Sequence, residues 1–100
     1  MPRAYVYILT NRPNGVLYTG VTNDLRSRID QHRKGDGSRF AGRYNCRRLV
    51  WAELHARIDE AIVREKRIKK WKRAWKVRLI EEGNPDWRDL ADDLHMISAE

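Results

Sequence analysis

The chain contains 100 residues, of which 41% are hydrophobic, and this is enough for one small globular domain. Several classes of protein are excluded. No stretch approaches the ~20 apolar residues that a membrane helix needs, and the first residues lack the pattern of a signal peptide. The single cysteine, Cys46, rules out an internal disulfide bond, and no Cys/His cluster suggests zinc. We therefore expect a cytoplasmic protein that has no membrane partner.

The first strand and its return strand are predicted from the N-terminal residues. Residues 4–10 are aromatic and β-branched and predict a strand, and residues 16–21 predict the strand that returns. Between them lies the segment Arg12-Pro13-Asn14-Gly15. Proline presets φ and Asn-Gly tolerates a tight bend, so this segment predicts a turn.

A helix is predicted to follow the hairpin. Thr22 or Asn23 can cap it, and it should run over residues 24–34. The segment 35–38 contains two glycines and is expected to end the helix and open a basic loop that reaches Arg43. Residues 48–55 then predict a third strand.

Three helices are predicted in the C-terminal half. Asp59 should cap one that runs to about Trp71, and a further helix, separate or continuous with it, should end near Glu82 with Gly83 in the C′ position. A turn over residues 84–87 precedes a short helix capped by Asp86 and ending near Leu94. The order β-β-α-β-α-α predicts an α+β fold around a small, mainly antiparallel three-stranded sheet. We expect one domain over residues 1–94 and a frayed tail over residues 95–100.

The charge of the chain is unevenly distributed. The net charge is +7, but residues 1–80 contain 20 basic and 7 acidic residues, whereas residues 81–100 contain one basic and 7 acidic residues. A basic body of this kind is typical of proteins that bind the phosphate backbone of nucleic acids. The alternative is a basic surface that serves solubility alone.

Tyr7 and Tyr18 are predicted to project from the same face of the hairpin. A four-residue loop pairs Leu9 with Tyr18 and Tyr7 with Gly20, which makes the two tyrosines diagonal neighbours. Their phenols could share a hydrogen bond and act on a reacting water, or the pair could be purely structural. Gly20 favours the first interpretation slightly, because a glycine within a strand often lets another group approach the backbone.

Arg28 and His32 are i,i+4 neighbours beside the apolar positions Leu25 and Ile29. Arg28 could hold a phosphate and His32 could relay a proton near neutral pH. Alternatively, Arg28 is a surface arginine whose stem packs on apolar residues, and His32 is a cation at the helix end.

Glu65 stands on the apolar stripe of the next helix. The residues expected in the core there are Ala61, Ile62, Ile68, Trp71 and Trp75. A buried carboxylate needs a partner, because an unpaired buried charge costs several kcal/mol. The candidates are a divalent cation, Arg28 and Lys69.

The ordered set of motifs resembles the GIY-YIG nuclease family, over about residues 4–85. The residues that carry the resemblance are Tyr5-Val6-Tyr7, Tyr18-Thr19-Gly20, a G-x-x-x-D-L-x-x-R pattern ending at Arg28, an E-A-x-x-x-E pattern ending at Glu65, and Asn84. The chain departs from the family at Tyr5 and Thr19, and it has Val21 where some relatives carry a lysine. It looks most similar to the small standalone bacterial members of YhbQ type, which are related to the GIY-YIG nuclease domain of the excinuclease.

The resemblance implies a metal-dependent endonuclease that hydrolyses phosphodiester bonds, in DNA rather than RNA. It implies structure-selective cutting linked to DNA repair or recombination, with a possible protein partner in repair. Glu65 would hold one Mg²⁺ or Mn²⁺, and Arg28 would neutralise phosphate oxygens. Tyr18, oriented by Tyr7, would position the attacking water, with Tyr18 or His32 as the base. Gly20 and Asn84 would support the site.

Backbone phosphates are expected to be held by basic residues outside the catalytic set. These are Arg39, Arg43, Lys66, Lys69, Lys70, Lys72 and Arg73. Three alternatives remain. The first is a non-catalytic nucleic-acid-binding module that uses the same basic surface, and the second is a nuclease subunit that depends on a partner. The third is a protein-interaction domain whose acidic tail or exposed aromatic residues contact a larger repair protein.

Overall fold

The computed structural model describes residues 3–34 and 42–93. It contains strands β1 (Ala4–Thr10), β2 (Leu17–Thr22) and β3 (Arg48–His55). The helices are α1 (Leu25–Arg33), α2 (Ile58–Lys70), α3 (Arg73–Gly83) and a 3₁₀ turn over Leu90–Asp93. The strands form an antiparallel sheet in the order β2-β1-β3. The predicted α+β class is confirmed. Within the described ranges, none of the helices combines the length and the apolar character that crossing a membrane requires.

The hairpin has the predicted turn and the predicted pairing. The Gly15 N–H donates to the Arg12 carbonyl at 2.9 Å, and Asn14 has a φ of 58°. This left-handed conformation is one that asparagine tolerates better than most residues. Tyr7 pairs with Gly20 and Leu9 pairs with Tyr18, as predicted.

The central strand β1 is buried along its whole length, because the sheet is covered on both faces. Tyr5, Tyr7 and Leu9 pack against α1 on the first face. The alternate residues Val6 and Ile8 pack against α2, α3 and Trp87 on the second face. Two separate cores therefore lie on either side of a single layer of strands.

Two predicted helix caps were wrong. Asp24 caps α1, since its carboxylate accepts from the Ser27 N–H at 3.1 Å, while Thr22 ends β2 and its hydroxyl accepts from the Asp24 N–H at 3.1 Å. Arg57 is the N-terminal flanking residue of α2, without a side-chain cap. Asp59 lies in the first turn, where its carboxylate accepts from the Glu60 N–H and the Arg57 guanidinium. The chain geometry at the end of each strand decided which residue reaches the free N–H groups.

The helices α2 and α3 are separate. Trp71 and Lys72 have extended backbones between them, with ψ of 150° and 149°. Gly83 is the last residue of α3, and Asn84 follows as the C-cap, so the prediction of Gly83 at C′ was wrong. A C′ glycine usually adopts positive φ, and here the chain leaves the helix through Asn84, which has a φ of −148°.

The segment after α3 is held by side chains of Asn84 and Asp89. The predicted turn is present, with the Trp87 N–H donating to the Asn84 carbonyl at 3.1 Å. Asp89, rather than the predicted Asp86, braces the final 3₁₀ turn: its carboxylate accepts from the N–H groups of Ala91 and Leu49. Leu94, the predicted end of this helix, and the tail over residues 95–100 lie outside the described residues.

The predicted core of the helical layer was partly wrong. Ala61 and Ile68 are fully buried and Trp71 is half-buried, but Ile62 is 37% exposed and Trp75 is 56% exposed. The break between α2 and α3 changes the helical phase, so spacing counted across it does not apply to Trp75. The stripe that faces the sheet contains Ala61, Glu65 and Ile68.

Trp87 should contribute strongly to stability. It is 2% exposed, has a φ of 55°, and its indole N–H donates to Glu81 at 2.8 Å. We expect Trp87→Ala to lower the free energy of unfolding by about 3–5 kcal/mol, because it leaves a cavity in the second core. Trp75→Ala, at an exposed indole, should cost less than about 1 kcal/mol. Urea unfolding of both variants measures this, and equal losses would contradict the assignment of Trp87 to the core.

Candidate active site

Tyr7, Tyr18 and His32 form an aromatic cluster on the first face of the sheet. The ring centroids of Tyr7 and Tyr18 are 6.2 Å apart, and those of Tyr18 and His32 are 5.3 Å apart. The Tyr7 hydroxyl lies 3.2 Å from Nε2 of His32. Tyr7 is fully buried and His32 is 3% exposed, whereas Tyr18 is half-buried on the edge strand. The cluster thus extends from the interior to the edge of the sheet.

Gly20 makes room for the Tyr7 ring. A Cβ atom at Gly20 would lie 2.5 Å from the Tyr7 hydroxyl oxygen and 2.6 Å from the ring carbon that bears it. Gly20 pairs directly with Tyr7, so any side chain there would push the phenol away from its present position. This close approach is the one that a glycine within a strand predicts.

The interior of the cluster favours neutral groups. Burial raises the pKa of the Tyr7 phenol far above its usual value of 10.0, and the interaction with Tyr18 raises it further, while the nearby Arg28 opposes both. Burial also lowers the pKa of His32 below 6.5, and the positive charge of Arg28 lowers it further. At neutral pH a phenol and a neutral imidazole therefore face each other.

One atom of the cluster has no hydrogen-bond partner. Nδ1 of His32 is buried and unpaired within the described part of the chain. Since the other ring nitrogen, Nε2, faces Tyr7, the two residues can exchange donor and acceptor roles by a change of tautomer. A buried polar atom without a partner costs free energy, and such costs are often found at functional sites.

The helix α1 presents Arg28 and His32 to the tyrosines. Leu25 and Ile29 are buried against β1 and fix the rotation of the helix. Arg28 is half-buried one turn before His32, close enough to influence the pKa of Tyr7. The arrangement provides a guanidinium at the partly open side of the cluster, where a phosphate could be neutralised.

Glu65 approaches from the other layer of the protein. It is 7% exposed on the buried stripe of α2, and its Oε2 lies 2.5 Å from Nζ of Lys69. Of the three partners considered from the sequence, Lys69 is the one that pairs with Glu65 in the structure. Residues 3–34 and 42–93 contain no ion pair between Glu65 and Arg28.

The chemistry of this position fits a hard divalent cation. The Glu65 carboxylate already faces a positive group, the Lys69 ammonium, in a mostly buried setting. Among the described residues there is no group of three or more His, Cys, Asp or Glu side chains that could enclose a metal. Mg²⁺ is often held by one or two carboxylates, with water and substrate phosphates as the remaining ligands, so a single glutamate suits it.

The two layers meet at the outer edge of β2. An open cleft of about 280 Å³ lies there, lined by Leu17, Tyr18, Thr19, Lys69 and Lys76. Tyr18 belongs to the aromatic cluster, and Lys69 is the ion-pair partner of Glu65. Lys76 was not among the residues selected from the sequence. The change of direction between α2 and α3 brings Lys76 next to β2. The sequence around Lys76 does not indicate this contact.

Asn84 lies at the opposite edge of the sheet. It is 4% exposed, and its amide nitrogen donates to the Val50 carbonyl at 3.2 Å and the Arg88 carbonyl at 2.9 Å. Its side-chain oxygen accepts from the Arg88 N–H at 3.0 Å. Asn84 therefore ties the segment after α3 to β3, which is separated from β2 by the central strand.

The predicted phosphate-binding residues have different environments. Lys66, Lys70 and Lys72 are exposed on or next to α2 and α3. The guanidinium of Arg43 stacks over Tyr44, and that of Arg73 donates to the carbonyls of the hairpin turn. Arg39 lies outside the described residues.

Known proteins are similar to this chain in sequence and in fold. The sequence profile of the GIY-YIG catalytic domain matches residues 3–78. A UPF0213 protein of Staphylococcus saprophyticus is 36% identical over 83 residues, which is 83% of this chain and 100% of that protein. A UPF0213 protein of Staphylococcus aureus is 35% identical over 82 residues, which is 82% of this chain and 99% of that protein.

A solved structure agrees with these relatives. The solution NMR structure of a UPF0213 protein from Bacillus halodurans matches with a TM-score of 0.53 and 29% identity. The match covers 87% of this chain and 92% of that chain. These names describe no activity, but the profile covers the hairpin, α1 and the Glu65 helix together. The chain therefore belongs to the GIY-YIG family.

Proposed function

We propose that this protein is a metal-dependent endonuclease that hydrolyses phosphodiester bonds in DNA. The observation that carries the proposal is the cleft at the edge of β2, which is lined both by Tyr18 of the aromatic cluster and by Lys69, the ion-pair partner of Glu65. A domain of this size offers little surface for reading a long sequence, so we propose that it selects DNA by structure. Such an activity would serve DNA repair or recombination, with or without a partner protein.

The proposed role of each side chain is consistent with its surroundings. Glu65 would hold one Mg²⁺ or Mn²⁺, which supplies charge stabilisation for the leaving oxygen when it is bound. Arg28 would neutralise the non-bridging phosphate oxygens. Tyr18 would position the attacking water at the edge of the sheet, because it is the cluster residue that also lines the cleft. Gly20 would preserve the position of Tyr7, and Asn84 would support the fold behind the site.

The base is either His32 or Tyr18. Tyr7 is excluded from this role, since its raised pKa keeps the phenol protonated at neutral pH. His32 is neutral there and its Nε2 lies 3.2 Å from the Tyr7 hydroxyl, so in the tautomer with hydrogen on Nδ1 it can take up a proton that passes along the phenols. Tyr18 could act directly if a bound cation stabilised its phenolate form.

Backbone phosphates outside the reacting one would contact the exposed lysines Lys66, Lys70 and Lys72, together with Arg43 and Arg39. The Lys69 and Arg73 side chains are already engaged, with Glu65 and the hairpin turn. They would act by adding to the positive field around the cleft.

A non-catalytic nucleic-acid-binding module is the second candidate. The observation in its favour is that Glu65 already has a partner in Lys69 and so does not require a metal to be satisfied. Such a protein would bind DNA equally well with or without divalent ions. A nuclease subunit that needs a partner would also show this behaviour when studied alone.

Replacing Glu65 distinguishes these candidates. We expect Glu65→Ala to reduce metal-dependent cleavage of labelled DNA by at least ~100-fold, while binding measured in EDTA changes little. Single-stranded, duplex, flapped and branched substrates should be compared with Mg²⁺, Mn²⁺ and EDTA. Glu60→Ala, at an exposed carboxylate of the same helix, is the matched control and should cut normally. Equal cutting by wild type and Glu65→Ala would reject the assignment.

The space at Gly20 provides a second test. Gly20→Ala should displace the Tyr7 phenol and reduce cleavage by about 100-fold, since a shift of about 1 Å at a reacting group has costs of this size. Gly83→Ala is the control, because no atom lies within 4 Å of a Cβ built there. Full activity of folded Gly20→Ala would show that the position of Tyr7 is not needed for cutting.

The pH dependence identifies the base. If His32 is the base, protonation below its pKa abolishes its function, so the cleavage rate should rise with pH through a midpoint below 6.5. His32→Gln keeps a polar group near Tyr7, but its side chain cannot titrate. This variant should therefore cut slowly, and its rate should no longer fall at acidic pH. Rates from pH titrations of both proteins measure the effect. An unchanged fall of the rate at acidic pH in His32→Gln would exclude His32 as the base.

A further inference from the structure

The cleft at the edge of β2 is lined by two cations, Lys69 of α2 and Lys76 of α3, and Arg73 lies one turn before Lys76. Arg73, at the start of α3, donates to the carbonyls of Asn14 and Gly15 at 2.9 and 2.7 Å. These bonds anchor α3 to the hairpin turn. Lys76 lies one turn further along α3, and its ammonium donates to the Lys69 carbonyl at 3.3 Å. Lys69 and Lys76 both line the cleft beside Tyr18.

Of these three cations, Lys69 alone is paired with an acid among the described residues. Glu65 pairs with Lys69, but Lys76 and Arg73 take part in none of the ion pairs found among residues 3–34 and 42–93. Lys76 is half-buried, and burial, Arg73 and Lys69, in this order, lower its pKa. Like charges held together in a partly dry cleft repel each other, and a bound anion would relieve this repulsion.

The cleft suits a phosphodiester group. Its volume of about 280 Å³ and its open shape accommodate a phosphate with part of an adjoining sugar. Thr19 adds a hydroxyl group and Leu17 an apolar wall, while the neighbouring Val21 of β2 adds no charge. The cations that face this edge therefore come from α2 and α3. Since Tyr18 lines the cleft, a phosphate bound here would be close to the one that Tyr18 addresses.

We propose that the cleft lined by Leu17, Tyr18, Thr19, Lys69 and Lys76 binds a backbone phosphate next to the phosphate that is cleaved, with Lys76 as its main cationic donor. The identification of the polymer as nucleic acid rests on the proposed function. The phosphate site itself rests on the arrangement of the cations. Lys69 would keep its pair with Glu65 and contribute charge, whereas Lys76 has no competing carboxylate among the described residues.

The test uses thymidine 3′,5′-bisphosphate as a small probe in the presence of EDTA. Isotope-labelled protein is titrated and followed by NMR, using backbone amide signals and the side-chain signals of the lysines. We expect the largest shifts at residues 17–19 and at Lys69 and Lys76. We expect Lys76→Gln to weaken binding about tenfold and Lys76→Arg to retain it, because a charge-assisted contact to phosphate is lost only in the first.

Arg78→Gln is the matched control. It removes one positive charge from the same helix, at a side chain that is 82% exposed and lies beside the separate cleft of Trp71 and Trp75. Its affinity should change less than about twofold, because exposed charges are screened. Shifts centred on Trp71 and Trp75, equal losses in both glutamine variants, or no shifts at residues 17–19 at millimolar probe would overturn the proposal.

The outcome is independent of cleavage. Probe binding at Lys76 by a protein that never cuts DNA would reject the nuclease and keep the phosphate site. Metal-dependent cutting together with unchanged probe binding by Lys76→Gln would keep the nuclease and reject this site. The wild-type shift map gives a result even if a substitution at Lys76 disturbs folding.

Discussion

The burial of β1 on both faces is the constraint on which the rest of the structure depends. A central strand that is covered on both sides needs one helical layer on each face, and α1 on one side and α2 and α3 on the other supply these layers. Tyr7 lies in this strand, so its phenol is held in the interior, where its hydroxyl lies beside Gly20 and His32. The same burial that stabilises the sheet raises the pKa of Tyr7 and keeps the phenol neutral.

A sheet between two helical layers limits where the candidate site can form. The aromatic cluster and Arg28 belong to one face of the sheet, and Glu65 belongs to a helix on the other. Side chains from opposite faces can meet only around an edge strand, and β2 is the edge on the side of the hairpin. Tyr18 lies on this edge strand, and it therefore contacts the aromatic cluster and also lines the cleft. Asn84, which binds β3, stabilises the opposite edge.

The two sides of the site have opposite electrostatic character. Tyr7 and His32 are neutral groups in a dry interior, where burial disfavours their charged forms. Lys69 and Lys76 are charged groups that line an open cleft, and the buried Glu65 carboxylate pairs with Lys69. Phosphodiester hydrolysis needs both kinds of environment, since proton movement depends on groups that titrate and the transition state depends on fixed charges.

Features that depend on neighbours along the chain could be predicted from the amino-acid pattern alone. Alternation and turn chemistry were sufficient for the three strands and for the pairing of Tyr7 with Gly20, and i,i+4 spacing was sufficient to place Arg28 beside His32. Features that depend on contacts between elements required the tertiary structure. The exposure of Trp75 follows from the break between α2 and α3, and that of Ile62 from the rotation of α2, which turns Ala61, Glu65 and Ile68 toward the sheet. Asp24 caps α1 because of the geometry at the end of β2, and Asp89 braces the final 3₁₀ turn because it lies beside Leu49 of β3. The pairing of Glu65 with Lys69 rather than Arg28, and the arrival of Lys76 at β2, were decided by how the helices pack, because the free energy of burying a charge depends on every group that surrounds it.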